Sequence, residues 1–176
     1  MAIYSFENKT PVIHPSTYVH PQAAIIGDVE IAGECFIGPG AVLRGDFGKI
    51  QIGPATRIQD NCVIHVGFTE GVSIAGHVVI GHGAILHDVI INSYILIGMG
   101  SILMTGVTCE DHVMIAAGSI VKENFHIPVD VLAAGNPARI VKPLSEDQRN
   151  RIHQSVKTYR DLAKRYQSQD ELIRQG

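Results

Sequence analysis

The sequence predicts an all-β fold, a parallel β-helix over residues 1–125, followed by an exit loop over 126–144 and a C-terminal α-helix over 145–176. These parts form a single structural domain. Three observations carry the prediction. Aliphatic residues recur every six positions, small residues sit four places after them, and the spacing turns helical near the end.

The aliphatic series starts at Val19, Ile25, Ile31, Ile37 and Leu43. After a slip of three it resumes at Ile52, Ile58 and Ile64. A slip of four leads to Ile74, Ile80 and Leu86, and a slip of five to Ile97, Leu103, Cys109, Ile115 and Val121. The next position is often glycine, as at Gly38, Gly53, Gly81 and Gly98. The position four after it is small, as at Ala23, Cys35, Ala41, Cys62, Ala84, Ser101 and Ser119. A period of six is neither helical nor a plain two-residue alternation. It fits short strands joined by tight corners, with three hexads closing one triangular coil. A β-sandwich would show longer alternating strands at irregular spacing. The hexapeptide signature resembles the left-handed parallel β-helix family, and that resemblance implies a left-handed coil, an exception to the usual crossover rule.

The final segment, LSEDQRNRIHQSVKTYRDLAKRYQ, reads as a helix. Ser145 is its predicted N-cap, with Gln148 in capping-box position. Ile152, Val156, Tyr159, Ala163 and Tyr166 form one apolar stripe at helical spacing, which must bury against the outside of the β-helix. The last residues, SQDELIRQG, are expected to fray.

Bulk properties narrow the function. The chain has 176 residues, 45% hydrophobic and 18% charged, which is too apolar for disorder. A formal net charge of -3 offers no basic footprint, so no nucleic acid is expected as a partner. No apolar run reaches the ~18 residues of a membrane span. MAIYSFENKT has no secretory pattern, so a cytoplasmic location is expected. Cys35, Cys62 and Cys109 form no CxxC pair and are read as reduced, inward-facing thiols.

Counting walls places the histidines. If each slip is a corner insertion, Leu43, Ile64 and Leu86 lie on one wall, called A; Ile52 and Ile74 lie on B, and Ile58 and Ile80 on C. Arg44, His65 and His87 each follow an inward residue of wall A, so they form one outward column. Adjacent strands lie about 4.8 Å apart, so the two imidazoles are close enough to share a metal. His82 sits at the corner between C and A and points away from that pair. It can complete the site only from a neighbouring subunit, and a cyclic homotrimer would make three equivalent sites. Three histidines with an open fourth position make a catalytic zinc pattern. His14, His20, His77, His112, His126 and His153 are read as surface or loop residues.

The ladder, LRGDFG at 43–48, IQDN at 58–61, His65, and His82 with His87 together resemble the γ-class carbonic anhydrase family. TPVIHP at 10–15, VHPQA at 19–23, IGDV at 26–29 and IGPGAVLRGD at 37–46 are similar to its short-looped bacterial branch, that of PaaY and CaiE. The resemblance covers nearly the whole chain. It implies a homotrimer that hydrates CO2 to bicarbonate, with Zn2+ (or Fe2+ or Co2+) held by His65, His87 and a neighbour's His82. It also implies an intersubunit Arg44–Asp46 ion pair, Gln59 beside the reacting water and Tyr159 approaching from the helix. Two departures stand out. The segment VGFTEGVS after His65 is short, with Glu70 its only acid, and Arg57 stands where many members carry Asn.

The same activated water could attack a thioester, so a metal-dependent acyl-CoA thioesterase is the alternative enzyme. An acyltransferase is a further alternative, since many hexapeptide β-helices are acetyltransferases. A non-catalytic trimeric scaffold that keeps a metal for stability is the last.

Overall fold

The computed structural model describes residues 2–67 and 71–169, without the side chains of 159, 160, 163, 167 and 169. The chain winds as a parallel β-helix with three walls and ends in one α-helix. Parallel pairing aligns Ile25, Leu43, Ile64, Leu86, Leu103 and Val121 along wall A. Wall B stacks Ile13, Ile31, Ile52, Ile74, Ile91, Cys109 and Ile127. Wall C stacks Val19, Ile37, Ile58, Ile80, Ile97, Ile115 and Ala133. Nearly all of these side chains are buried in one continuous core. Strands this short bury little alone, so each coil depends on its neighbours.

Two sequence expectations need correction here. The eleven-residue step from Leu86 to Ile97 contains Ile91, which is a full member of wall B. That corner is therefore one residue short, rather than carrying an insertion. The predicted exit loop, 126–144, is largely strand. His126–Ile127 and Val131–Gly135 extend the ladder, and Ala138–Pro143 folds back antiparallel on Val131–Gly135. The β-helix thus runs past its expected end at 125.

The irregular steps share one place. From wall A to wall B, Leu43 to Ile52 takes nine residues, Ile64 to Ile74 ten, and Leu86 to Ile91 five. The corner from C to A is regular and takes a positive φ in each coil from Gly40 onward. Asn61 (φ 57°) and Gly83 (φ 69°) supply it beside Asp60 and His82. Glycine reaches this region freely, and Asn more readily than most residues.

Helix α1 (Glu146–Gln169) lies along the outside of wall C. Its start is the predicted capping box: Gln148 N–H donates to Ser145 Oγ (3.2 Å) and Ser145 N–H to Gln148 Oε1 (3.0 Å). Ile152 is buried with Met114 and Leu144, and Val156 is buried as well. Tyr166 packs on Tyr18 and Phe36 at ring-centroid distances of 5.3 and 5.6 Å. The Tyr159 and Ala163 side chains lie outside the described residues. Arg149 grips Asp130 with two hydrogen bonds, pinning the helix start to the ladder.

The cysteines are buried and unpaired with one another. Burial pushes the Cys62 thiol up to about 11 and the Cys109 thiol up to about 12. Both stay protonated at neutral pH and behave as small apolar residues.

Candidate metal centre

Wall A brings its outward column together as the spacing predicts. Arg44 is in register with His65, and His65 with His87. The imidazole centroids are 5.0 Å apart, inclined by 67°. His65 Nδ1 faces His87 Nε2 at 3.1 Å. The other nitrogen of each ring meets a carboxylate: His65 Nε2 lies 3.0 Å from Asp46 Oδ1, and His87 Nδ1 lies 2.9 Å from Asp88 Oδ2. Thr105 Oγ1 also lies 3.2 Å from His87 Nδ1. Carboxylates accept, so a neutral ring at either position carries its proton on the outer nitrogen and turns its inner nitrogen toward the other ring. With both rings neutral, the two inner nitrogens, 3.1 Å apart, are available to one shared cation. Two nitrogens on one tetrahedral zinc, each at 2.0–2.1 Å, would stand about 3.3 Å apart. The pair therefore fits two ligands of one metal.

Asp46 anchors the lower end of the column. Burial raises its pKa, but hydrogen bonds from Arg44 and His65 outweigh that and hold it below the usual carboxylate value. It stays ionised at neutral pH. In the single chain, Arg44 pairs with Asp46.

His82 stands apart, as its corner position predicts. Its Nδ1 lies 3.0 Å from Asp60 Oδ2, and its backbone N–H donates to Gln59 Oε1 at 3.2 Å. It repeats the pattern of His65 and His87, with one ring nitrogen on a carboxylate and one to spare. Carboxylate–imidazole pairs of this kind orient metal ligands and raise their basicity. Among the described residues of one chain, no three His, Cys, Asp or Glu side chains converge on a metal position. Gln59 is buried and sits with His82 on the wall C side, away from His65 and His87 in the same chain. Those two residues open onto a groove of about 490 Å3 between wall C and α1, with Met99 and Arg151 also lining it. Glu70 lies outside the described residues. Arg57 is fully buried on wall C, paired in register with Phe36 and Val79.

Sequence reasoning missed the partner carboxylates. Asp60 lies in the quoted IQDN, and Asp88 directly follows His87, so the signal was an acid within reach of a candidate ligand. It also treated three histidines as unrelated. His77, Tyr94 and His112 form a parallel stack at the corner from B to C, with ring centroids 4.8 and 5.2 Å apart. His153 of α1 leans on Tyr94 and His112 at 5.0 and 5.8 Å.

Residues 10–45 match the family model of the bacterial transferase hexapeptide (six repeats). Over 168 residues the chain is 42% identical to the carnitine operon protein CaiE of Escherichia coli O157:H7, covering 94% of this chain and 84% of that protein. This chain belongs to the CaiE branch of the hexapeptide-repeat family. Solved structures agree on the architecture. A hexapeptide transferase family protein of Anaplasma phagocytophilum is 34% identical with a TM-score of 0.89, covering 94% of this chain and 98% of that one. A candidate acetyltransferase of Bacillus cereus is 32% identical with a TM-score of 0.94, covering 95% and 97%. Like these relatives, this CaiE-branch chain is a single β-helix with a terminal helix.

Proposed function

We propose that this chain is the protomer of a homotrimer that hydrates CO2 to bicarbonate at three metal sites. Each site takes His65 and His87 from one copy and His82 from the next. The carrying observation is the approach of His65 Nδ1 and His87 Nε2 to 3.1 Å, with carboxylates on both outer nitrogens. An all-imidazole donor set suits zinc, with iron or cobalt as alternatives. Bound there, the metal supplies the Lewis acidity that makes water a nucleophile near neutral pH.

The chain's own residues do the rest. Asp46, Asp60 and Asp88 fix which nitrogen of each imidazole is free. Arg44 holds Asp46 in place. Gln59 accepts the His82 N–H through Oε1, which leaves its amide NH2 to donate to a substrate oxygen.

One observation favours a second reading, hydrolysis of an acyl-CoA thioester. The groove beside Gln59 and His82 is far larger than CO2 needs, and Leu96, Met99 and Met114 give it an apolar lining. Transferase names among the relatives add acyl transfer as a third outcome to be assayed.

One preparation tests all three readings. Metal content, CO2 hydration by stopped flow, and hydrolysis and transfer from acetyl-CoA are measured on the wild type, His65→Ala and His82→Ala. Hydration should be present in the wild type and absent in both variants. Co-expressing the two variants should restore part of it, because a mixed trimer regains one intact site. A metal-loaded wild type without hydration would sink the first reading, and acyl-CoA hydrolysis in the same sample would install the second.

A further inference from the structure

We infer that Asp88 is the positioning residue that sets His87 as a metal ligand, and that Gly67 is the cradle built to hold it. This rests on the metal reading of the His65–His87 pair. Asp88 sits at the irregular corner from A to B with φ 51°, a region that favours glycine, and its side chain is buried. The next coils use Gly106 (φ 76°) and Asn124 (φ 56°) at the same corner. Glycine thus fits this corner well. A buried carboxylate kept in that conformation points to a task for the side chain.

The surroundings show the task. Gly67 N–H donates to Asp88 Oδ1 at 2.8 Å, while Oδ2 takes His87 Nδ1 at 2.9 Å. The Asp88 N–H donates to the His65 carbonyl at 3.2 Å, tying the backbones of both histidines together. A Cβ on Gly67 would stand 2.8 Å from Asp88 Oδ2 and 3.0 Å from His87 Cε1. Residue 67 therefore has to lack a side chain for the carboxylate and imidazole to take these places. Its backbone supplies the donor that aims the carboxylate. Asp88 takes the Gly67 N–H on Oδ1 and turns Oδ2 toward His87 Nδ1. The result holds the proton on Nδ1 and leaves the Nε2 lone pair facing His65.

The test measures Zn2+ affinity by competition with a chromophoric chelator, melting of the metal-free protein, and the His87 tautomer by 15N NMR. Asp88→Gly relieves the positive φ and removes the carboxylate; Asp88→Asn keeps the shape and removes the charge. Both should weaken Zn2+ binding about 10- to 100-fold, while metal-free Asp88→Gly melts no lower than Asp88→Asn. Gly67→Ala should weaken binding in the same direction. Zn2+ affinities within about twofold of the wild type in both Asp88 variants would overturn the inference. If the wild type binds no Zn2+, the metal reading fails separately and the tautomer decides. An Nδ1-protonated His87 that loses its preference in Asp88→Gly upholds the positioning role, and an unchanged tautomer overturns it.

Discussion

Walls A and B carry the same aliphatic ladder toward the core and opposite characters toward the outside. Wall A shows Val42, Val63, Ile85, Ile102 and Ile120 in one outward column, flanked by Arg44, His65, His87 and Met104 in the next. Wall B shows mostly polar residues, Glu30, Gln51, Ser73, Thr108 and His126, with Val12 and Ile90 among them. A polar outer wall is content in water. An aliphatic stripe beside a stacked pair of imidazoles asks for a covering surface. The inward positions therefore specify the fold on every wall, and the outward positions decide what each wall is for.

The difference breaks most sharply at the histidines. His87→Ala should remove bound metal and drop hydration to background. His126→Ala on wall B should leave both unchanged, although His126 also faces a carboxylate, Glu110, at 3.3 Å. Metal analysis and stopped-flow assay check this, and equal losses would mean the column has no special role. The next effect is on assembly. Ile85→Lys should shift the proposed trimer to smaller species in sedimentation velocity, because the proposed interface would bury an unpaired charge. Thr108→Lys on wall B should sediment as the wild type.

The inward ladder should show no such asymmetry. Leu86→Ala on wall A and Ile91→Ala on wall B should each cost about 2–5 kcal/mol in chemical denaturation. A large gap between them would mean that the walls do not share one core. The smallest effect lies at the helix anchor. The Arg149 hydrogen bond holds the Asp130 carboxyl below its usual value, against the effect of burial. A depressed pKa contributes stability above the unfolded value, about 3.9, that is lost as pH falls through the folded value. Helicity should therefore fall below about pH 4, and Asp130→Asn should lower helicity at neutral pH and flatten that acid transition in circular dichroism.

Most of this contrast was legible in the sequence, because the hexad repeat is a packing constraint. Inward slots accept only aliphatic or small side chains, so counting them placed Arg44, His65 and His87 in one column and His82 at a different corner. Ile91 escaped because Ile90 and Ile91 are both aliphatic and the step there is a residue short. Within 126–144, Ile127 and Ala133 keep the six-residue beat after Val121, but Ala133 is a weak aliphatic marker and Ala138–Pro143 leaves the beat for an antiparallel return. Asp60 and Asp88 escaped because periodicity says nothing about which acid reaches a given imidazole. The His77–Tyr94–His112 stack escaped because corner residues were assumed to face only water, whereas coil-to-coil register aligns corners as strictly as walls.

The antiparallel return of Ala138–Pro143 has a consequence for solubility. A parallel β-helix ends in a fresh row of unpaired amides and carbonyls, a template on which another copy could stack end to end into a fibre. The returning strand occupies that row on wall C and offers in its place an edge bearing Arg139, Lys142 and Pro143. Two cations and a residue with no N–H to donate make a poor template. The hairpin acts as an end stop that lets a repetitive chain remain finite.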